Sequence, residues 1–135
     1  MSGTGWALQK AVFAHLAQDA GVKSLLGDPP RIYDGAPAGG VNPYVMFGDW
    51  REAPLAGVEG AFEHDFRLII RSRHDGRREI KAIAVALHDA LQDAALTLDN
   101  AVLVSLCVVF TDVIYRNEPD RHVGVMRFRA LTQSL

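Results

Sequence analysis

The chain has 135 residues, 49% hydrophobic and 22% charged, with a formal net charge of −2, the balance of one soluble globular domain rather than a disordered chain. That charge provides no overall positive field to gather nucleic acid, and the single cysteine, Cys107, excludes an intrachain disulfide and a cysteine-rich zinc site and fits a reducing cytoplasm. The N-terminal MSGTGWALQK lacks the basic region and apolar run of a signal peptide, and the longest apolar run, residues 102–110, is too short to cross a bilayer.

Thr4 is expected to cap a first helix reaching about Ala20, with Trp6, Lys10, Phe13 and Ala17 at helical spacing beside Ala7, Leu16 and Ala20. Gly21 interrupts, a short helical turn follows at residues 22–26, and Gly27-Asp28-Pro29-Pro30 ends helical structure. Residues 31–33 read as a short strand and 43–50 as a second. In the second, Tyr44, Met46, Gly48 and Trp50 share one face, and Val45, Phe47 and Asp49 the other. Residues 51–60, with one proline and two glycines, suggest a surface loop. Residues 61–73 give the clearest strand: Phe62, His64, Phe66, Leu68 and Ile70 point one way, and Glu63, Asp65, Arg67, Arg71 and Arg73 the other.

His74-Asp75-Gly76 breaks that strand, with Asp75 as the expected N-cap of a helix over residues 77–94. Its stripe is Ile80, Ile83, Ala84, Leu87, Leu91 and Ala94, so it should lie flat on a sheet. Two strands, 101–116 and 121–132, then form an antiparallel hairpin around Asn117-Glu118-Pro119-Asp120. The expected fold is α+β: a single domain over residues 1–135, in which two main helices pack a mostly antiparallel sheet in the order α-β-β-β-α-β-β.

Few residues carry chemistry. The glycines of RIYDGAPAGGVNPYVMFGD lead into a strand, with neither the lysine nor the helix that a phosphate-binding loop needs, so this segment only turns the chain. His-Asp occurs at 64–65, 74–75 and 88–89, but in a strand, a turn and a helix, without the common helical scaffold of a metal-dependent phosphohydrolase. Cys107 in an apolar strand reads as a small hydrophobe even if His122 lies across the hairpin, and Ser105 has no nucleophile elbow around it. No catalytic, cofactor-binding or metal-ligating residue emerges.

Two features exceed the bland expectation. The strand from residue 102 to 115 is apolar on both faces: Val102, Val104, Leu106, Val108 and Phe110 on one, and Leu103, Cys107, Val109, Val113 and Tyr115 on the other. One helix layer covers one face only; the other is covered either by the first helix or by another subunit, and in the second case Val109, Val113 and Tyr115 are the candidates for a subunit interface. Arginines also crowd the strands, at positions 67, 71, 73, 127 and 129. They suit a solvated face, a channel wall or a partner surface.

The ordered set LQKAVFAHLAQDAGVKSLLG, RIYDGAPAGGVNPYVMFGD, EHDFRLIIRSR with GRREIKAIAVALHDAL, and HVGVMRFRAL resembles the phage tail completion proteins. This is the tail terminator family of lambda-like siphophages and gene transfer agents, and the likeness spans residues 8–131. The resemblance implies a structural virion protein, not an enzyme, with no cofactor. It would be made in the bacterial cytoplasm and reside in the tail of a virion or virus-like particle. It further implies a homo-oligomeric ring, commonly a hexamer, at the head-proximal end of the tail tube. That ring ends tube polymerisation and provides the head-docking surface. Partners would be the chain itself, the tail tube protein and a head-completion or connector protein, with DNA only in transit and no membrane. For such a ring, the connections at 51–60 and 117–120 offer candidate partner contacts: Arg51, Glu52, Leu55, Asn117, Glu118 and Asp120. The alternatives are another head-tail connector or minor tail protein, or a small cytoplasmic metal-dependent hydrolase.

Overall fold

The computed structural model describes residues 3–37, 39–72, 77–115 and 122–135. Its elements are α1 (Gly5–Gln18), α2 (Ala20–Leu26), β1 (Ile32–Tyr33), β2 (Tyr44–Pro54), β3 (Ala61–Arg71), α3 (Arg78–Leu91), β4 (Thr97–Leu98), β5 (Ala101–Tyr115) and β6 (His122–Ser134). The strands form one mixed sheet in the order β1-β2-β3-β6-β5-β4, in which only β1 and β2 run parallel. The expected α+β architecture is present, with α2 separate from α1 and with β4 added.

All three helices contribute to a core on one side of the sheet. α3 buries Ile80, Ile83, Ala84, Leu87, Ala90 and Leu91, the stripe its periodicity announced plus Ala90 and without Ala94, which is half-buried beyond the end of a helix shorter than expected. Asp75 lies outside the described residues, and Arg77 occupies the N-cap position. α1 buries Leu8, Val12 and Leu16, a different stripe from the one expected. Trp6 (64% exposed) and Phe13 (43%) face outward, and Lys10 pairs with Asp99 at 2.8 Å on that solvent side. The break between α1 and α2 falls at Asp19 rather than Gly21, because the Asp19 carboxylate accepts from the Val22 N–H as an N-cap. Among the described residues, no helix is long and apolar enough to cross a membrane.

Bulges decide which side chains share a face. Phe47 and Trp50, three residues apart, would point oppositely in a regular strand. A register shift between them places both on the helix side, opposite Leu68 and Phe66. Trp50 stacks on Phe66 with centroids 4.3 Å apart, and Phe66 on Phe128 at 5.2 Å, a column across β2, β3 and β6. β5 has two such shifts, around Val104 and Val109. As a result Leu103, Leu106, Val108 and Val113 pack toward the core, while Ser105, Cys107, Phe110 and Ile114 fall on the opposite face.

The glycine-rich segment has a structural task. β1 and β2 are parallel, so the chain must travel back before β2 begins, and the segment containing residues 34–37 and 39–43 provides that return. Gly39, at φ 63°, adopts a left-handed conformation there. The expected loop at 51–60 is shorter than its composition suggested, since β2 runs to Pro54. A tight connection follows, closed by hydrogen bonds from Leu55 N to Ala61 O (2.8 Å) and Ala61 N to Val58 O (3.3 Å).

Candidate functional surface

Two groups of polar side chains stand out, one buried under α1 and one on the face of the sheet away from the described helices. The buried group centres on His64, which is fully enclosed. The Trp50 indole N–H donates to His64 Nδ1 at 3.2 Å, which leaves Nε2 to carry the ring proton. Nε2 lies 3.0 Å from both Thr4 Oγ1 and Thr132 Oγ1, and these hydroxyls are 2.5 Å apart. The Thr4 side chain therefore serves this group and makes no cap bond to α1. Glu52 accepts from the Thr4 backbone N–H at 3.0 Å. Burial pushes the His64 pKa down, and the nearby Glu52 carboxylate pulls in the opposite direction. With Thr4, His64 and Thr132 buried, the group anchors the start of α1 to β2, β3 and β6.

The second group lies on the side of the sheet that none of the helices packs against. The pairings Arg51↔Asp65, Asp65↔Arg129, Arg67↔Arg127 and Tyr44↔Arg71 bring five arginines to that face, together with Glu63 and Asp65. Arg127 donates from Nε to Asp65 Oδ1 at 2.7 Å and from Nη2 to Oδ2, a two-pronged ion pair. Arg129 comes within 4.0 Å of the same carboxylate. The hydrogen bond and charge of Arg127, aided by Arg129 and Arg67, hold the Asp65 carboxyl below its usual range. Arg51, Asp65, Arg127 and Arg129 line a shallow depression of about 410 Å³. Around the arginines lie Met46, Ile69, Phe110 and Ile114, while Val123 and Val125 are buried among their neighbours.

The residues singled out from the sequence scatter. Val109 is the extra residue of a bulge and is exposed, whereas Val113 packs against the core, so the two do not share a face as strict alternation implied. Tyr115 is exposed and packs edge-on against His122, with centroids 5.4 Å apart. Arg51 and Glu52 are strand residues rather than loop residues, paired with Asp65 and His64, and only Leu55 lies in the connection. Asn117, Glu118 and Asp120 lie outside the described residues, as do Arg73, His74 and Asp75. His64 and Asp65 point to opposite faces of β3, and His88 sits 3.5 Å from Asp89 on the exposed side of α3. Cys107 is paired with Arg129, far along β5 from the Tyr115↔His122 pair, so His122 does not stand beside the thiol.

Sequence reading missed Arg51 as a member of the arginine face, because the strand was expected to stop at Trp50. It also missed the outward Trp6 and Phe13, which with Phe47 line a mainly apolar hollow of about 320 Å³. The first left no signal in the sequence, since the proline and two glycines of residues 51–60 read as a loop; only the pairing of Arg51-Glu52-Ala53-Pro54 with residues 62–65 shows it to be strand.

A family model described as tail completion protein gp17 matches residues 10–133. Among solved structures, a chain from the virion of a native gene transfer agent particle superposes with a TM-score of 0.87 at 29% sequence identity. The match covers 99% of this chain and 100% of that one. No curated protein matches the sequence.

Proposed function

The chain belongs to the tail completion protein gp17 family, structural proteins of virion tails rather than enzymes, and from that membership we propose that it forms a ring closing the head-proximal end of a tail tube. In this reading six copies form the ring, which ends tube polymerisation and presents the surface to which the filled head docks. The tail tube protein lies on one side of it and a head-completion protein on the other, and DNA passes through.

The observation that carries the reading is the end-to-end likeness to the gene transfer agent particle chain, which leaves almost no part of either chain unmatched. The physical design is compatible with it. A closed ring needs two different patches on each subunit that meet head to tail. The arginine-bearing sheet face and the helix-covered side provide two chemically unlike surfaces of the kind such a contact requires.

Electron micrographs of particles from a strain lacking the gene test the proposal. The expected result is filled heads without tails, beside tubes of excessive or irregular length. Tubes of normal length beside unjoined heads would remove the termination role and leave only docking. Normal tails joined to heads would overturn the reading altogether.

A further inference from the structure

We propose that the free edge of β5 in one copy pairs antiparallel with the free edge of β2 in the next, joining the sheets into one wall around the ring; this rests on the ring reading above. Both ends of the sheet are largely bare. β1 covers β2 only at Val45 and Met46, and β4 covers β5 only at Ala101 and Val102. Residues just past α3 extend the second cover a little: Gln92 Oε1 accepts from Val108 N–H at 2.8 Å, and Asp93 N–H donates to the Leu106 carbonyl at 3.0 Å. Among the described residues, no strand stands beside residues 47–54 of β2 or residues 109–115 of β5. Bare edges of this length are templates for another strand. The β5 segment, VFTDVIY, holds a single charge and neither the proline nor the lysine that would deter pairing.

Strand sense, charge and stagger each favour β2 of a second copy as the occupant. The long strands β2, β3, β6 and β5 alternate in direction, so β2 and β5 run oppositely. Rotation about a ring axis that the strands broadly follow preserves their sense, and β5 of one copy then meets β2 of the next antiparallel. Arg51 and Asp112 are both exposed and lie on the same face of the sheet, the one away from the helices. Set opposite each other they attract. Two β5 edges centred there would oppose Asp112 to Asp112, and two β2 edges Arg51 to Arg51, which is unfavourable. A slip of one residue would turn the helix side of one copy against the other face of its neighbour. The stagger agrees. The bare part of β2 lies toward the Pro54↔Phe62 end of the sheet and the bare part of β5 toward the Tyr115↔His122 end. Within one copy Arg51 is level with Cys107, through Asp65 and Arg129, and Asp112 lies four register steps further, opposite Val125. Joining Asp112 to Arg51 of the next copy therefore offsets each copy by about 13 Å along the strands for about 19 Å across them. That offset is a strand tilt of about 35°, and sheets that close on themselves tilt by about 35–45°.

Cysteine cross-linking and charge reversal test the pairing, in the purified full-length chain and in particles from the deletion strain supplied with each variant. With Cys107→Ala removing the native thiol, Arg51→Cys and Asp112→Cys together should give a ladder of covalent multimers on a non-reducing gel after mild oxidation, since directly opposed strand residues lie within disulfide reach. Either new cysteine alone should give none. A covalent dimer from Asp112→Cys alone, with no ladder from the pair, would mean that β5 meets β5 and would overturn the proposal. Arg51→Asp and Asp112→Arg, each alone, should lower ring yield by native mass spectrometry and the count of joined particles roughly tenfold, because every junction carries the change. Circular dichroism should be unchanged, since both side chains are exposed. The two reversals together should return assembly to near the wild-type level. Rings that form without the ladder would overturn this interface while the ring reading stands, as would rings intact in both single reversals. Loss of rings in both single reversals without rescue in the combined variant would overturn the pairing of Arg51 with Asp112. A wild-type chain that forms no ring in solution or in particles, with normal tails in its absence, defeats the ring reading itself and is distinguishable from all of these.

Discussion

A buried histidine is stable only when every polar atom is satisfied in one protonation state. His64 meets that condition when neutral: Nδ1 accepts from Trp50, and Nε2–H points at the hydroxyls of Thr4 and Thr132. Adding a proton to Nδ1 would set two N–H groups against each other and place a charge in the core. The carboxylate of Glu52, 3.8 Å away, offsets part of that cost, but burial dominates and the pKa is lowered. Because the folded value lies below the unfolded value of about 6.5, the unfolded chain takes up the proton first. The stabilising contribution is therefore complete above about pH 6.5 and declines as the pH falls below it. Urea unfolding midpoints measured between about pH 7.5 and 5 should fall more steeply for the wild type than for His64→Gln. Equal slopes would mean that His64 accepts a proton in the folded state without penalty.

Between elements, α3 approaches β6 closely at Gly124. A Cβ placed at Gly124 would lie 2.5 Å from Ile80 Cγ2 and 3.1 Å from Ile70 Cβ. Both neighbours are β-branched, with little rotamer freedom to yield, so the helix itself would have to lift. Gly124→Ala should cost about 1–3 kcal/mol in chemical denaturation, the range of core overpacking. In an Ile80→Ala background the same change should cost clearly less, because the offending methyl is gone. An undiminished cost there would trace the effect to backbone conformation instead. Elements with a regular period were legible from sequence: the α3 stripe and the alternation of β3 match the burial closely. What the period could not reveal was where it slips. The bulges at Phe47/Trp50, Leu103/Ser105 and Val108/Phe110 each reverse the alternation, and no residue type at those positions announces them. That is why Val109 and Val113 read as partners on one face. α1 failed for another reason: its outer side carries Trp6 and Phe13, so hydrophobicity alone could not distinguish the core stripe from the exposed one.

At the scale of the whole molecule, the described helices cover one side of the sheet and none of them packs on the other, and that asymmetry was only half visible in the sequence. The arginines of β3 and β6 could be counted, but their convergence with Arg51 around Asp65 required the register of three strands. The covered side gains its stability from apolar burial, which salt scarcely weakens, whereas a contact between the exposed Arg51 and Asp112 of neighbouring copies would be screened. The screening length is about 10 Å at 0.1 M ionic strength and about 3 Å at 1 M. Raising sodium chloride from about 0.05 to 0.5 M should therefore lower the fraction of chain in rings, followed by sedimentation velocity at fixed protein concentration. The urea midpoint of dilute monomer should change little over the same range. Assembly should also raise the apparent unfolding temperature as protein concentration increases, since association stabilises only the folded chain. That dependence should weaken at high salt in step with the loss of rings. Rings whose population ignores salt would show that this charged pair adds nothing to the contact, and that backbone pairing or apolar surface such as the Trp6–Phe13 hollow joins the subunits instead.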